Sequence, residues 1–483
     1  MTLSVLSVAS EVFPLVKTGG LADVAGALPR ALAPHGVDVT TLLPAYPGVR
    51  AKFGKLKSRH HWPDLLGTDA HLLETKLGDQ RLLLLDAPAL FGREGGPYID
   101  ANGRDWADNW RRFAALGKAA ADVALGQVKG LSFDLLHAHD WQAALAPVYV
   151  RYAPGDAPKP STVVTIHNIA FQGQFAASHF KALGLPAAAW SVDGVEYYGD
   201  LGFLKGGLAS ADAITTVSPT YAQEILRPEY GMGLEGLIAH RRGALHGILN
   251  GIDTAQWNPA TDAALAMPFS RTALAKRKAN KRALEKAFGL ARGDGPLFVV
   301  ISRLSWQKGM DMLIDSIDAL VGMGARLALL GSGDAALEGA FRVAEARHKG
   351  RVAIQSRYDE PLSHLCQGGG DAIIIPSRFE PCGLTQLYGL AYACVPVVAR
   401  TGGLHDTVIN ANAAALEAGV ATGVKFDLAG ADALIAALHQ AVALYADRPT
   451  WRMLQRNGMA ADFSWSTSGA AYAALYRGLC TRA

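Results

Sequence analysis

Short apolar runs alternate with longer stretches of helical periodicity, and this alternation occurs twice along the chain. The first half carries Leu3–Ala9, Arg81–Leu85, Leu135–His137, Thr162–Ile166 and Ala213–Val217. The second carries Leu297–Ile301, Arg326–Leu330, Arg351–Gln355, Ala372–Ile375 and Val395–Ala399. A strand that is apolar along its whole length must be covered on both faces, and intervening helices supply that cover. Two such series predict an α/β chain of two doubly wound domains. Ligands of such sheets bind outside the carboxyl ends of the strands, so the polar residues after each run are the ones to weigh.

Composition narrows the class. Half of the 483 residues are apolar, enough for two sizeable cores. Charged residues make up 18%, below the ~25% of an average domain, which argues against long disordered tracts. A net charge of +3 gives no electrostatic case for nucleic acid or a membrane surface as partner. Cys366, Cys382, Cys394 and Cys480 form no CxxC pair, so they read as neither a disulfide framework nor a zinc pattern and fit a reducing cytoplasm. Met1–Ala9 has no basic leader and reads as a buried strand, not a signal peptide. No apolar run approaches the ~18 residues of a membrane span.

The segment His246–Asp253 (HGILNGID) holds two glycines after a long helical region and predicts the domain boundary. The expected division is 1–247, 248–460 and a final helical segment 461–483. Within the last, Ser464–Leu479 reads as an amphipathic helix with Tyr472, Leu475, Tyr476 and Leu479 on one side. Ala273–Phe288 carries six basic residues, among them Arg277 and Lys281, and reads as a solvated helix face.

Five segments carry candidate chemistry. Lys17-Thr18-Gly19-Gly20-Leu21-Ala22-Asp23 follows the first strand and opens a helix. Its glycines let backbone N–H groups approach an anion, and Lys17 adds a mobile cation; an ordinary strand-to-helix turn is the alternative. In Ser302–Gly309, Arg303 and Lys308 converge at a strand end, suiting a diphosphate, or are two exposed basic residues on a loop. In Pro376–Thr385, Glu380 stands where a carboxylate could meet sugar hydroxyls or a developing cation, or could pair with Arg378 or Arg400. Arg400–Asp406 contains the Thr401-Gly402-Gly403 turn, which offers donors to phosphate or is simply tight. In the fifth segment His167 follows the run Thr162–Ile166, with His137, His139 and Asp140 upstream. His137 and His139 suggest a metal, but no third ligand stands at readable spacing, and a single histidine after a strand is usually structural. A sixth segment, Gly331-Ser332-Gly333-Asp334-Ala335-Ala336, matches a dinucleotide fingerprint. The following run ends at Gln355 and Ser356 without the acid that holds a ribose, which removes the dehydrogenase reading.

Together these segments resemble the bacterial glycogen synthases and plant starch synthases. Also matching are Thr165–Gly173 (TIHNIAFQG), Tyr197–Gly207 (YYGDLGFLKGG), Thr215–Ala222 (TTVSPTYA), Pro376–Leu387 (PSRFEPCGLTQL) and Thr401–Val408 (TGGLHDTV). The resemblance implies the GT-B fold, two Rossmann-like domains facing a deep interdomain cleft, with the C-terminal helix packing back on the first domain. It implies transfer of glucose from ADP-glucose to the non-reducing end of glycogen or another α-1,4-glucan, with retention, and with neither cofactor nor metal. A UDP-glucose-using synthase and an inactive nucleotide-sugar sensor are the alternatives. By resemblance Glu380, His167, Arg303 and Lys308 are the catalytic set. Lys17 contacts the donor, and Gly19, Gly20 and Asp23 are substrate-binding with it. So are Asp140, Asn250, Cys382, Gly383, Leu384, Thr385, Thr401, Gly402 and Gly403. Related transferases often carry a second Glu eight positions after the first; here that position is Tyr388. The next stretch, Ala391-Tyr392-Ala393-Cys394, departs from the usual basic-tyrosine-glycine run, which predicts a local packing change.

Overall fold

The computed structural model describes residues 2–357, 359–428 and 430–481. The chain forms two compact units, Met1–Gly251 with Trp465–Ala483, and Ile252–Ser464. The crossings thus fall a few residues beyond the expected 247/248 and 460/461. Ile248 stays with the first unit because its N–H bonds the Thr216 carbonyl (2.8 Å) and its side chain packs with Val5 and Trp465. Ile252 instead donates to the Phe463 carbonyl and packs with Trp257 in the second unit. Among the described residues, no helix is long and apolar enough to cross a membrane.

The first unit is built on β1 (Leu3–Val8), β2 (Val37–Pro44), β3 (Ser58–Trp62), β4 (Ala70–Leu77), β5 (Gln80–Asp86), β6 (Leu135–His139) and β7 (Ser161–Ile166). A small separate sheet, β8 (Gln174–Phe175), β9 (Glu196–Tyr197) and β10 (Asp200–Gly202), intervenes before β11 (Ala213–Thr216) and β12 (Leu245–Gly247). The main sheet has nine strands in the order β12-β11-β7-β6-β1-β2-β5-β4-β3. It is parallel except at one edge, where β3, β4 and β5 pair antiparallel. Alternation along β1 shows why the run had to be apolar: Val5 packs into one core, Leu6 and Val8 into the other. The C-terminal helix Trp465–Cys480 closes the Val5 side, burying Tyr472 and Tyr476 against helix Gly20–Leu32.

The second unit has six parallel strands: β13 (Leu297–Ile301), β14 (Arg326–Leu330), β15 (Val352–Gln355), β16 (Ala372–Ile375), β17 (Val395–Ala399) and β18 (Val424–Phe426). Their order is β15-β14-β13-β16-β17-β18. Both faces are again covered: Phe298 and Val300 enter one core, Leu297 and Val299 the other. The basic helix Arg277–Phe288 corrects one expectation. Arg277 is buried and donates to the Gly370 carbonyl (2.5 Å), while Lys281 is buried against Asp371 (2.6 Å) and the Tyr445 hydroxyl (3.0 Å). These partners let the charges sit inside, where an unpaired one could not, although Arg277 Nε has no hydrogen-bond partner among the described residues.

Candidate active site

In the second unit the loops after β13, β16 and β17 meet at the carboxyl edge of three neighbouring strands. Backbone bonds knit them together: Arg378 N–H to the Gln307 carbonyl (2.9 Å) and Gly403 N–H to the Glu380 carbonyl (3.3 Å). Glycines make the approach possible. A Cβ at Gly309 would lie 2.0 Å from the Pro376 carbonyl oxygen, and one at Gly402 would lie 1.9 Å from that of Glu380. The Thr401-Gly402-Gly403 turn is therefore a cradle for the backbone of Glu380, Pro381 and Cys382. Gly383 is left-handed (φ 71°), and helix Thr385–Ala391 starts immediately after Leu384.

Glu380 is buried here and pairs with neither Arg378 nor Arg400. Arg378 forks onto Asp311 with two 2.7 Å bonds, and Arg400 meets Asp427 at 2.8 Å. Glu380 Oε2 instead lies 2.5 Å from Lys308 Nζ and accepts from Ser377 Oγ at 2.8 Å. Arg303 is exposed at the same edge. Sequence reasoning missed Ser377, although it sits inside the PSRFEPCG motif. The fingerprint-like glycines also find a use. A Cβ at Gly331 would lie 1.8 Å from the Ser302 carbonyl oxygen, and one at Gly333 would lie 2.2 Å from that of Leu304. They let the loop after β14 support the one that carries Arg303.

In the first unit, adjacent strands β1, β6 and β7 bring the Lys17 loop, Asp140 and His167 to one sheet edge. Lys17 Nζ is 2.9 Å from Asp23 Oδ1 in the first turn of helix Gly20–Leu32, which has Gly19 as its N-cap. The buried Glu11 takes the Thr18 hydroxyl at 2.6 Å, also binds the Thr18 N–H and the Tyr98 hydroxyl, and so fixes the turn. Asp140 sits in the left-handed region (φ 54°) and accepts the His167 N–H at 2.7 Å. Burial pushes its carboxyl up to about 7.

His137 and His139 belong to two separate hydrogen-bonded groups whose rings meet at 4.1 Å between centroids. His167 Nε2 bonds His139 Nδ1 (3.0 Å), and His139 Nε2 bonds Ser7 Oγ (3.2 Å). His137 bonds Thr165 Oγ1 (2.5 Å) and the Tyr476 hydroxyl (2.7 Å). Burial holds all three imidazoles below the ordinary histidine range, His139 at about 3. They are neutral at neutral pH, which removes any charge argument for His167 and leaves hydrogen bonding. Asn250 is buried near the end of this unit's long segment, and its Oδ1 has no hydrogen-bond partner among the described residues.

Comparison with known proteins agrees with this architecture. A family described as the starch synthase catalytic domain matches residues 4–240, and one described as glycosyl transferases group 1 matches 295–443. A glycogen synthase from Novosphingobium aromaticivorans is 63% identical over 481 residues, 99% of each chain. The chain belongs to the glycogen synthase family. One from Rhizobium rhizogenes is 57% identical over 99% of this chain and 100% of its own. Among solved structures, the catalytic domain of starch synthase IV from Arabidopsis thaliana, bound to ADP and acarbose, superposes with a TM-score of 0.88 at 32% identity over 100% of both chains. The fold is GT-B, and the chain is a glycosyltransferase.

Within this family framework the departures after Glu380 have a structural account. Tyr388 stacks on Trp257 (centroids 3.6 Å apart), whose other face stacks on His364 (3.8 Å). Tyr392 is buried and donates to Asp262 Oδ2 at 2.5 Å. Ala393 takes a left-handed conformation (φ 55°) in which glycine would be unstrained.

Proposed function

We propose that the chain transfers glucose from ADP-glucose to the non-reducing end of an α-1,4-glucan such as glycogen, with retention at the anomeric carbon. The observation that carries this reading is the Lys308–Glu380 pair, held at a three-strand edge by glycines that no larger residue could replace. Arg303 and Lys308 would bind the donor diphosphate, and the Thr401-Gly402-Gly403 turn would support them. Lys17 is the first unit's proposed contribution to donor binding; His167, Asp140 and Asn250 are proposed for sugar hydroxyls. In the transfer, the bond from the anomeric carbon to the diphosphate oxygen breaks. The acceptor hydroxyl oxygen bonds to that carbon on the same face, and its proton passes to the leaving phosphate. Fixed cations stabilise the charge that develops on the phosphate, and the Glu380 carboxylate stabilises the cationic sugar. With two cations on the diphosphate, no metal or cofactor is needed, and a chelator should leave the rate unchanged. A cytoplasmic location and no nucleic-acid or membrane partner complete the reading.

The solved relative bound to ADP and acarbose supports an adenine nucleotide and a glucan acceptor. The test is incubation with ADP-glucose or UDP-glucose plus glycogen, following nucleotide release and glucan growth. ADP-glucose should give the higher kcat/KM. Equal rates, or a UDP-glucose preference, would overturn the donor assignment, and nucleotide release without glucan growth would overturn the acceptor.

A further inference from the structure

The β3–β4 hairpin at the edge of the nine-stranded sheet carries a side-chain cluster that the transfer reaction does not use. His61 and His71 are register partners across this antiparallel pair, and Asp69 immediately precedes β4. Directly opposed residues share a face; here the two imidazoles stack with centroids 4.4 Å apart and planes 14° from parallel. His61 Nε2 is 2.6 Å from Asp69 Oδ1, and His71 Nε2 is 3.6 Å from Asp69 Oδ2. Among the described residues this is the one trio of His, Cys, Asp or Glu with ligand atoms all within 4.8 Å of one another.

The tautomer of His71 follows from its neighbour. The pairing register shifts between Ser58 and His60, and the Ser58 hydroxyl donates its single proton to the His60 carbonyl at 2.8 Å. Ser58 Oγ also lies 2.9 Å from His71 Nδ1, where it can only accept. Nδ1 therefore carries the ring proton, and Nε2 turns a lone pair towards the Asp69 carboxylate, an acceptor-only group. Either a second ring proton on Nε2 or a metal ion between the two groups relieves this opposition at 3.6 Å, and a metal ion would also engage His61. The Nδ1–H to Ser58 bond is also the outer contact that orients a metal-bound histidine.

We propose that His61, Asp69 and His71 form a zinc-class metal site on the first unit, with water completing the shell. Two imidazoles and a carboxylate with a fourth position open are a donor set that zinc accepts. Bonds of about 2.0–2.2 Å place tetrahedral ligand atoms roughly 3.4 Å apart, within reach of side-chain rotation from the present spacing. His61 would release Asp69 and move its proton from Nε2 to Nδ1. Exposures of 49%, 63% and 38% for His61, Asp69 and His71 leave room for the water. The ion would tie the outermost strand of the sheet to its neighbour, protecting an exposed edge.

The test is zinc titration of the untagged, chelator-washed full chain by calorimetry, with thermal unfolding in parallel. One equivalent should bind at micromolar concentration and raise the unfolding temperature. Asp69→Asn and His71→Ala should each weaken binding by about tenfold or more and abolish the thermal shift, and Ser58→Ala should weaken it less. His240→Gln, at an exposed histidine elsewhere, should change nothing. Absence of binding at millimolar zinc, or undiminished binding in Asp69→Asn and His71→Ala, would overturn the proposal.

Discussion

Lys308 Nζ and Glu380 Oε2 lie 2.5 Å apart, on loops that follow the neighbouring strands β13 and β16. Their side chains are only 17% and 11% exposed, so each charge depends on the other. Glu380→Gln should lower kcat by about 10²–10³-fold if the carboxylate faces charge that develops in the transition state. It should also lower stability, because Lys308 loses its partner. The double variant Lys308→Met/Glu380→Gln should regain stability without regaining activity. Recovery of both in kinetic and thermal-unfolding assays would make the pair purely structural.

Lys17 offers a contrasting case. Its bridge to Asp23 is 30% and 21% exposed, and bridges of that kind contribute about 0.2–1 kcal/mol at most. Lys17→Ala should therefore fold normally while losing about 10²–10³-fold in kcat/KM for the donor, with Lys17→Arg recovering part. Near-normal kinetics for Lys17→Ala would make it an ordinary turn lysine.

Ala393 tests backbone strain. A left-handed alanine costs about 1–2 kcal/mol. Glycine would relieve that, but would lose about 0.8 kcal/mol of methyl burial and about 0.4–1 kcal/mol through the unfolded chain. The terms nearly cancel, so Ala393→Gly should leave denaturant stability almost unchanged. Ala393→Val adds a branched side chain at φ 55° in a buried site and should lose about 2 kcal/mol or more.

Acid should destabilise the first unit through its histidines. His137, His139 and His167 titrate lower folded than unfolded, so the stability they contribute is complete above about 6.5. It is lost as pH falls through the folded values, about 3 for His139. Asp140 has the opposite sign. Its folded value of about 7 means that its contribution is complete below the unfolded carboxylate value and is lost as pH rises through 7. Three histidines outweigh one carboxylate, so stability should fall between about pH 6.5 and 4. Thermal unfolding against pH should give a steeper fall for Asp140→Asn and a shallower one for His139→Gln.

Two doubly wound sheets were legible because apolar runs of strand length leave few alternatives. The motifs were legible because each lies in one loop. What crosses between loops was not. The Lys308–Glu380 pair spans 72 positions, and the His139–His167 bond depends on the β6–β7 register, which pairs His139 with Thr165. Arg277 and Lys281 were read as solvated because charge is normally exposed; their partners Gly370, Asp371 and Tyr445 come from distant segments. His61, Asp69 and His71 are close in sequence, but only the hairpin register sets their side chains against one another.

The last helix has a consequence for biosynthesis. A ribosome completes Ile252–Ser464 while the first-made unit still lacks Trp465–Cys480. Until Tyr472 and Tyr476 emerge, helix Gly20–Leu32 has an uncovered apolar side, and His137 Nδ1 lacks its hydroxyl partner. The part begun first is thus finished last, and the second unit, continuous in sequence, can mature ahead of it. Nascent chains halted before Trp465 should bind chaperones through their amino-terminal half.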